Sequence, residues 1–230
     1  MFVQPFNYHL ANTYIGSMAQ EHRMDVISNN LANVDTPGFK KDVPVFDGYL
    51  MKATAIHFGQ GHLTQTDKKF DLALSGPGFF QVETADGIRL TRNGSFTTNS
   101  DGQLVTLDGN PVVGAGQIPE NAVEVNILED GRIIVDGQEQ GQLEIVEFED
   151  LRVLAKDGYN NFVPKVEGLE GQPAEETTVE QGFLEQSNAE PVVESVNLVD
   201  TVRTYEVFQK VIQSIQDADN KSINEVGRLT

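Results

Sequence analysis

Hydrophobic and polar positions recur with different periods in different parts of the chain. From about residue 7 to 34 the apolar positions stand three or four apart, Leu10, Tyr14 and Met18 followed by Met24, Ile27, Leu31 and Val34. That spacing predicts an α-helix with an apolar stripe. Asp35-Thr36-Pro37-Gly38 stops it, because proline disfavours helical geometry at Thr36 and lacks a backbone donor, while Gly38 permits a turn. The far end has a similar character. From Pro191, a good first-turn residue, no glycine occurs before Gly227, and an approximate heptad places Leu198, Tyr205, Ile212 and Val226 at one position and Phe208, Ile215 and Leu229 at the other. Thr201, Asp219 and Ser222 interrupt the seam. A long helix that buries its stripe against other helices is expected there. Neither terminal helix has a core of its own to lie on, so the two are expected to pair.

The middle is β in character. Eight Asp-Gly or Asn-Gly dipeptides, at residues 47, 86, 93, 101, 108, 130, 136 and 157, supply the positive φ angles of tight hairpins. Short apolar or alternating runs lie between them, at 79–82, 88–91, 104–107, 123–127, 132–135 and 143–148. Turn signals every seven or eight residues between Gly87 and Gly109 predict an antiparallel meander. The expected class is therefore α+β. Residues 1–35 and 191–230 form long helices paired as a coiled-coil-like rod, 36–70 an extended connector, and 71–190 a mainly antiparallel β domain. Residues 166–190 are acidic and poor in apolar groups, which predicts a long loop or exposed arm.

Charge narrows the function. Thirty-five acids against 16 bases give a formal charge of −19, which argues against nucleic-acid binding, and no polybasic segment suits an anionic membrane. No apolar run approaches the ~20 residues of a membrane span, so no direct membrane insertion is expected. The first residues have no base before Arg23 and no sustained apolar core, unlike a cleavable secretory signal. The charge is uneven: residues 120–190 carry eighteen acids and four bases, while 1–70 carry six of each. Nearly neutral ends suggest contacts that depend only weakly on salt.

Chemistry is sparse. With no cysteine, disulfides, thiolate catalysis and cysteine-ligated zinc are excluded. His9, His22, His57 and His62 form no helical metal pair, and no phosphate-binding loop or nucleophile elbow is present. Thr97 to Asp108 echoes a calcium loop, but begins with threonine between strand-like flanks and reads as a hairpin. Glu147, Glu149 and Asp150 are the best carboxylates for a glycan hydrolase, although they sit in a segment full of acids. No catalytic residue, metal or cofactor is assigned.

The run Gln20-Glu21-His22-Arg23-Met24-Asp25-Val26-Ile27-Ser28-Asn29-Asn30-Leu31-Ala32-Asn33-Val34-Asp35-Thr36-Pro37-Gly38-Phe39-Lys40 closely resembles the N-terminal signature of bacterial flagellar rod and hook proteins. Residues 70–82, 91–96 and 102–106 are similar to that family's β-domain core, and Ser195-Val196-Asn197-Leu198-Val199, Tyr205-Glu206 and Lys210-Val211-Ile212-Gln213 to its C-terminal helix. The length leaves no room for the outer domains of hook relatives. The run 207–213, continued by 223–229, looks more like the proximal, F-type rod member than the distal one. The resemblance implies a structural subunit for motility that passes unfolded through the flagellar type III export apparatus without a cleavable signal. It would then polymerise in the periplasmic basal body with copies of itself and other flagellar rod proteins.

The residues expected at an assembly interface are Leu10, Tyr14, Met18, Met24, Ile27 and Leu31 of the first helix and Leu198, Val202, Tyr205, Phe208, Ile212 and Ile215 of the last. Asn29, Asn30 and Asn33 are poor helix formers that capping or inter-subunit hydrogen bonds would explain, and Pro37, Gly38 and Phe39 would set the exit angle into the connector. Two other classes stay open: a cell-wall hydrolase resting on Glu147, and an adhesive β module on an oligomeric helical stalk.

Overall fold

The computed structural model describes residues 4–47, 50–158 and 160–226. The turn at Gly48 and the last seam residue, Leu229, lie outside them. The chain divides into two compact units, the first drawn from Met1–Ala32, Asp42–Ala55 and Glu190–Thr230 and the second from Asn33–Lys41 and Ile56–Ala189. Their boundary is crossed between residues 32 and 33, 41 and 42, 55 and 56, and 189 and 190.

The first unit holds two helices, α1 (Gln4–Ala32) and α2 (Pro191–Val226), and a two-stranded sheet of Asp42–Asp47 and Leu50–Ile56. The helices lie against each other and run antiparallel: the Ser17 hydroxyl accepts from Gln209 Nε2 at 3.1 Å, and the earlier Tyr14 hydroxyl accepts from the later Gln216 at 3.4 Å. The approach is close at Gly16, where a Cβ would stand 2.6 Å from the Phe208 ring. No described helix is long and apolar enough to cross a membrane.

The second unit is antiparallel throughout its registered strand pairs. A six-stranded sheet runs Leu154–Lys156, Asn161–Pro164, Gly87–Thr91, Phe79–Thr84, Ile145–Glu147, Gln172–Pro173 in spatial order. A three-stranded sheet and smaller pairs accompany it. Leu72, Leu74, Phe80, Val82, Leu104, Ile133 and Val179 head the larger core, and Phe79, Leu90, Leu154 and Phe162 the smaller. In the latter Phe58, Phe79 and Phe162 meet with ring centroids 5.3 to 5.9 Å apart, edge-on or tilted as ring quadrupoles prefer. The turn at Asp136 and Gly137 has φ of 49° and 81°, the paired left-handed geometry that the dipeptide suggests.

Three expectations change. Residues 36–70 are not simply an extended connector: Asp42–Asp47 and Leu50–Ile56 pair and Leu63–Gln65 pairs with Phe183–Glu185, and backbone groups of an extended segment find partners this way. Residues 166–190 are not a free arm, since Thr178–Gln181 ladders with Leu72–Ser75 and buries Val179. The apolar positions of α1 do not form one stripe. Met18 and Met24 are six residues apart, and at about 3.6 residues per turn that step rotates the pattern onto another face; Met18 is 56 % exposed and Ile27 buried.

Candidate functional site

The family-like turn docks inside the second unit. Thr36 N–H donates to Asn33 O and Phe39 N–H to Thr36 O, both at 3.2 Å, and Gly38 takes φ of 69°. Glycine is required on a second ground, because a Cβ there would lie 2.4 Å from the Arg92–Asn93 peptide. Gly38 N–H donates to Glu185 O at 2.7 Å, and Asn160 Nδ2 donates to Pro37 O at 2.8 Å. Phe39 is buried beneath Lys156, whose ammonium stands 4.2 Å from the ring centroid, a cation–π contact.

The next residue carries the charge. Lys40 is fully buried, and its ammonium donates to Glu185 Oε1 at 2.6 Å and Gly59 O at 2.9 Å. Arg92, also buried, reaches Glu185 Oε2 at 3.4 Å, donates to Gly76 O and lies 5.2 Å over Phe79. The same carboxylate accepts from Gly61 N–H at 2.7 Å. One buried anion therefore serves two buried cations. Burial holds Lys40 below the ordinary lysine value, against the attraction of Glu185, and lowers Arg92 for the same reason. Such a cluster is worth little as net stabilisation, yet costs heavily when one member is removed.

Asn188 ties the same segments together. Its Oδ1 accepts from Lys41 N–H at 2.8 Å, its Nδ2 donates to His57 O and Gly59 O at 2.7 Å each, and its N–H donates to Phe39 O at 3.2 Å. His57 N–H donates to Lys41 O at 2.9 Å. The three chain segments nearest the boundary crossings at residues 41, 55 and 189 are thus fastened to one another within the second unit. The sequence singled out neither Asn188 nor Glu185 and placed Arg92 only within the family-like run 91–96; an asparagine shortly before Pro191 was the available signal for the first.

The expected interface residues separate into classes. Ile27 and Ile212 are buried, Leu10, Met24, Leu31, Leu198, Val202, Tyr205, Phe208 and Ile215 half-buried, and Tyr14 and Met18 exposed. Thr201 is buried on the seam and bonds Asn197 O at 2.6 Å, so this interruption is a satisfied hydroxyl. Asn30 is buried and works within the chain: its amide accepts from Asp42 N–H at 2.9 Å and donates to Asp42 O at 2.8 Å, pairing as a strand backbone would. Asn33 belongs to the turn, and Asn29 is exposed.

Two of the three carboxylates weighed for hydrolysis are engaged elsewhere. Glu147 accepts from the Thr177 hydroxyl at 2.6 Å, and Asp150 caps the short helix Leu151–Val153 and pairs with Arg152 at 2.9 Å. The calcium-like segment forms the hairpin Phe96–Thr98 with Leu104–Thr106.

A terminal helix pair and a β unit clamping a Gly-Phe-Lys turn coincide with three sequence families. Residues 16–40 match the flagella basal body rod protein family, 73–135 the flagellar hook protein FlgE/F/G D1 domain, and 180–225 the C-terminal family of flagellar basal body rod FlgEFG proteins. The chain belongs to the flagellar hook and basal-body rod protein family. The flagellar basal-body rod protein FlgF of Caulobacter vibrioides is 33% identical over 94% of this chain and 98% of its own length. FlgG of Buchnera aphidicola from Schizaphis graminum is 35% identical over 86% and 92%, and the flagellar hook-basal body complex protein FlhO of Bacillus subtilis 27% over 92% and 96%.

Proposed function

We propose that this chain is a structural subunit of the proximal flagellar rod, of the F type, polymerising through its terminal helices into part of the drive shaft. The observation that carries the reading is the helix pair itself. α1 and α2 cover one side of each other and leave Tyr14, Met18, Val192, Val196 and Val207 44 to 76 % exposed, and apolar surface on that scale calls for a further partner. The paired helices act as a coiled-coil-like rod element, and the Lys40–Glu185–Arg92 clamp fastens its chain segments within the β unit. The F type is supported by the run 207–213. Copies of itself, other rod proteins and the flagellar type III export apparatus are the partners, and the periplasmic basal body is the location.

The test is co-purification of the tagged full chain with intact basal bodies, and its level in the rod by immunogold labelling. Proximal label supports the F type, distal label supports the G type, and absence from basal bodies defeats the rod reading.

A further inference from the structure

Each helix of the first unit has a second face that the chain leaves open. On α2, Val192, Val196, Val199, Arg203, Val207 and Lys210 follow at spacings of four, three, four, four and three, a single helical stripe. Its valines are 49 to 76 % exposed, and Arg203 and Lys210 are exposed. Buried Thr201 and Ile212 lie on the opposite side, and the acids Asp200 and Glu206 flank the stripe. On α1, Ala11, Met18, Glu21 and Asp25 follow at seven, three and four, all exposed and opposite Gly16 and buried Ile27, while Tyr14 between them turns its hydroxyl to Gln216 of α2. This stripe contains no base; Arg23 projects from another side of the helix. The helix pair therefore has two outward faces that look away from each other. One combines apolar groups with cations, the other apolar groups with carboxylates.

Resting on the reading that copies assemble through their terminal helices, we propose that the α1 face of one copy docks on the α2 face of a second copy. The seam residues Ile27 and Ile212 are then intramolecular, and the valine stripe is the intermolecular surface. The two faces differ and point in opposite directions, so each contact leaves one free face of each kind and the association repeats without pairwise closure. Register follows from the chain. Gly16 lies against Phe208 and Ser17 against Gln209. A neighbour at the same level, antiparallel in the same sense, sets Glu21 beside Arg203 and Met18 beside Val207.

The natural chain has no cysteine, so single cysteines report without background. Full chains carrying Met18→Cys and Val207→Cys are mixed and treated with a short bis-maleimide. The mixed pair should give cross-linked dimer at least tenfold above either chain alone. Glu21→Lys with Asp25→Lys in one chain, and Arg203→Glu with Lys210→Glu in another, should each reduce large assemblies in sedimentation at least tenfold; mixing the two charge-reversed chains should restore them. That rescue also shows that both variants fold. Assemblies that survive both reversals, or in which Met18→Cys links to itself and not to Val207→Cys, overturn the face assignment and leave the rod reading standing. A wild-type chain that neither self-associates nor enters basal bodies overturns both.

Discussion

Lys40 and Glu185 are separated by 145 positions in the chain, and their side chains meet at 2.6 Å with essentially no exposure on either. Arg92 reaches the other oxygen of the same carboxylate. Removing the anion therefore strands two buried cations, whereas removing one cation leaves a pair. Glu185→Gln should cost about 3–5 kcal/mol, a large share of the roughly 5–15 kcal/mol that holds a domain together. Lys40→Met should cost clearly less, because Arg92 still pairs with Glu185. Urea unfolding followed by a β-unit signal checks the order; equal losses in the two variants would contradict the arrangement.

The same lysine gives a pH dependence with a definite sign. Burial lowers its value in the folded chain, while the unfolded chain titrates near the ordinary 10.5. Between the lowered value and 10.5 the unfolded state binds a proton that the folded state does not, so stability from this group rises with pH across that window. Below the window the charged, buried ammonium makes its least favourable contribution. The unfolding free energy of the wild type should therefore gain on that of Lys40→Met as pH is raised from 8 towards about 10.5, measured in parallel urea titrations.

Gly38 tests whether the turn is a hinge or part of the core. As a mere exit from α1 it would tolerate a side chain with loss of assembly only. Its φ of 69° and the Arg92–Asn93 peptide 2.4 Å from a would-be Cβ place it inside the second unit. Gly38→Val should lower thermal stability of the β unit itself, by at least about 2 kcal/mol from strain and displaced backbone. Asn188→Ala should cost about 1–3 kcal/mol through its unpaired partners, and hydrogen exchange at Lys41 should accelerate, because its N–H is held by that side chain.

What could be read from the chain was local, and what could not was pairing across distance. Asp35-Thr36-Pro37-Gly38 ends α1 because proline and glycine act through their own backbones, and Asp136-Gly137 turns for the same reason. The α+β class and most strand runs follow from such signals. Glu185, in contrast, sits in an acidic stretch that reads as solvated, and only the fold brings Lys40 and Arg92 to it. Met18 keeps helical spacing with Leu10 and Tyr14, yet it is exposed, and small residues, Gly16 and Ser17, make the closest approach to α2. Large apolar residues mark a stripe, but do not say which stripe is covered within the chain. Near-neutral termini suggested contacts indifferent to salt; if the two open faces meet as proposed, their opposed charges would instead make assembly weaken as ionic strength rises.

Gly16 sets propensity against packing. Glycine inside a helix costs about 0.5–1 kcal/mol relative to alanine, so on α1 alone a substitution would stabilise. The Phe208 ring, 2.6 Å from the position of a Cβ, opposes this. Phe208 is half-buried, so its ring can yield slightly to a methyl group but not to a branched side chain. Gly16→Ala should stay within about 1 kcal/mol of the wild type as the two terms offset. Gly16→Leu should lose about 1–3 kcal/mol of helix-pair stability through overpacking. Combining it with Phe208→Ala removes the obstacle, so the double variant should be more stable than Gly16→Leu alone. Far-UV circular dichroism in urea, with all four chains of the cycle, reads the coupling; an additive result would mean that Gly16 and Phe208 do not meet.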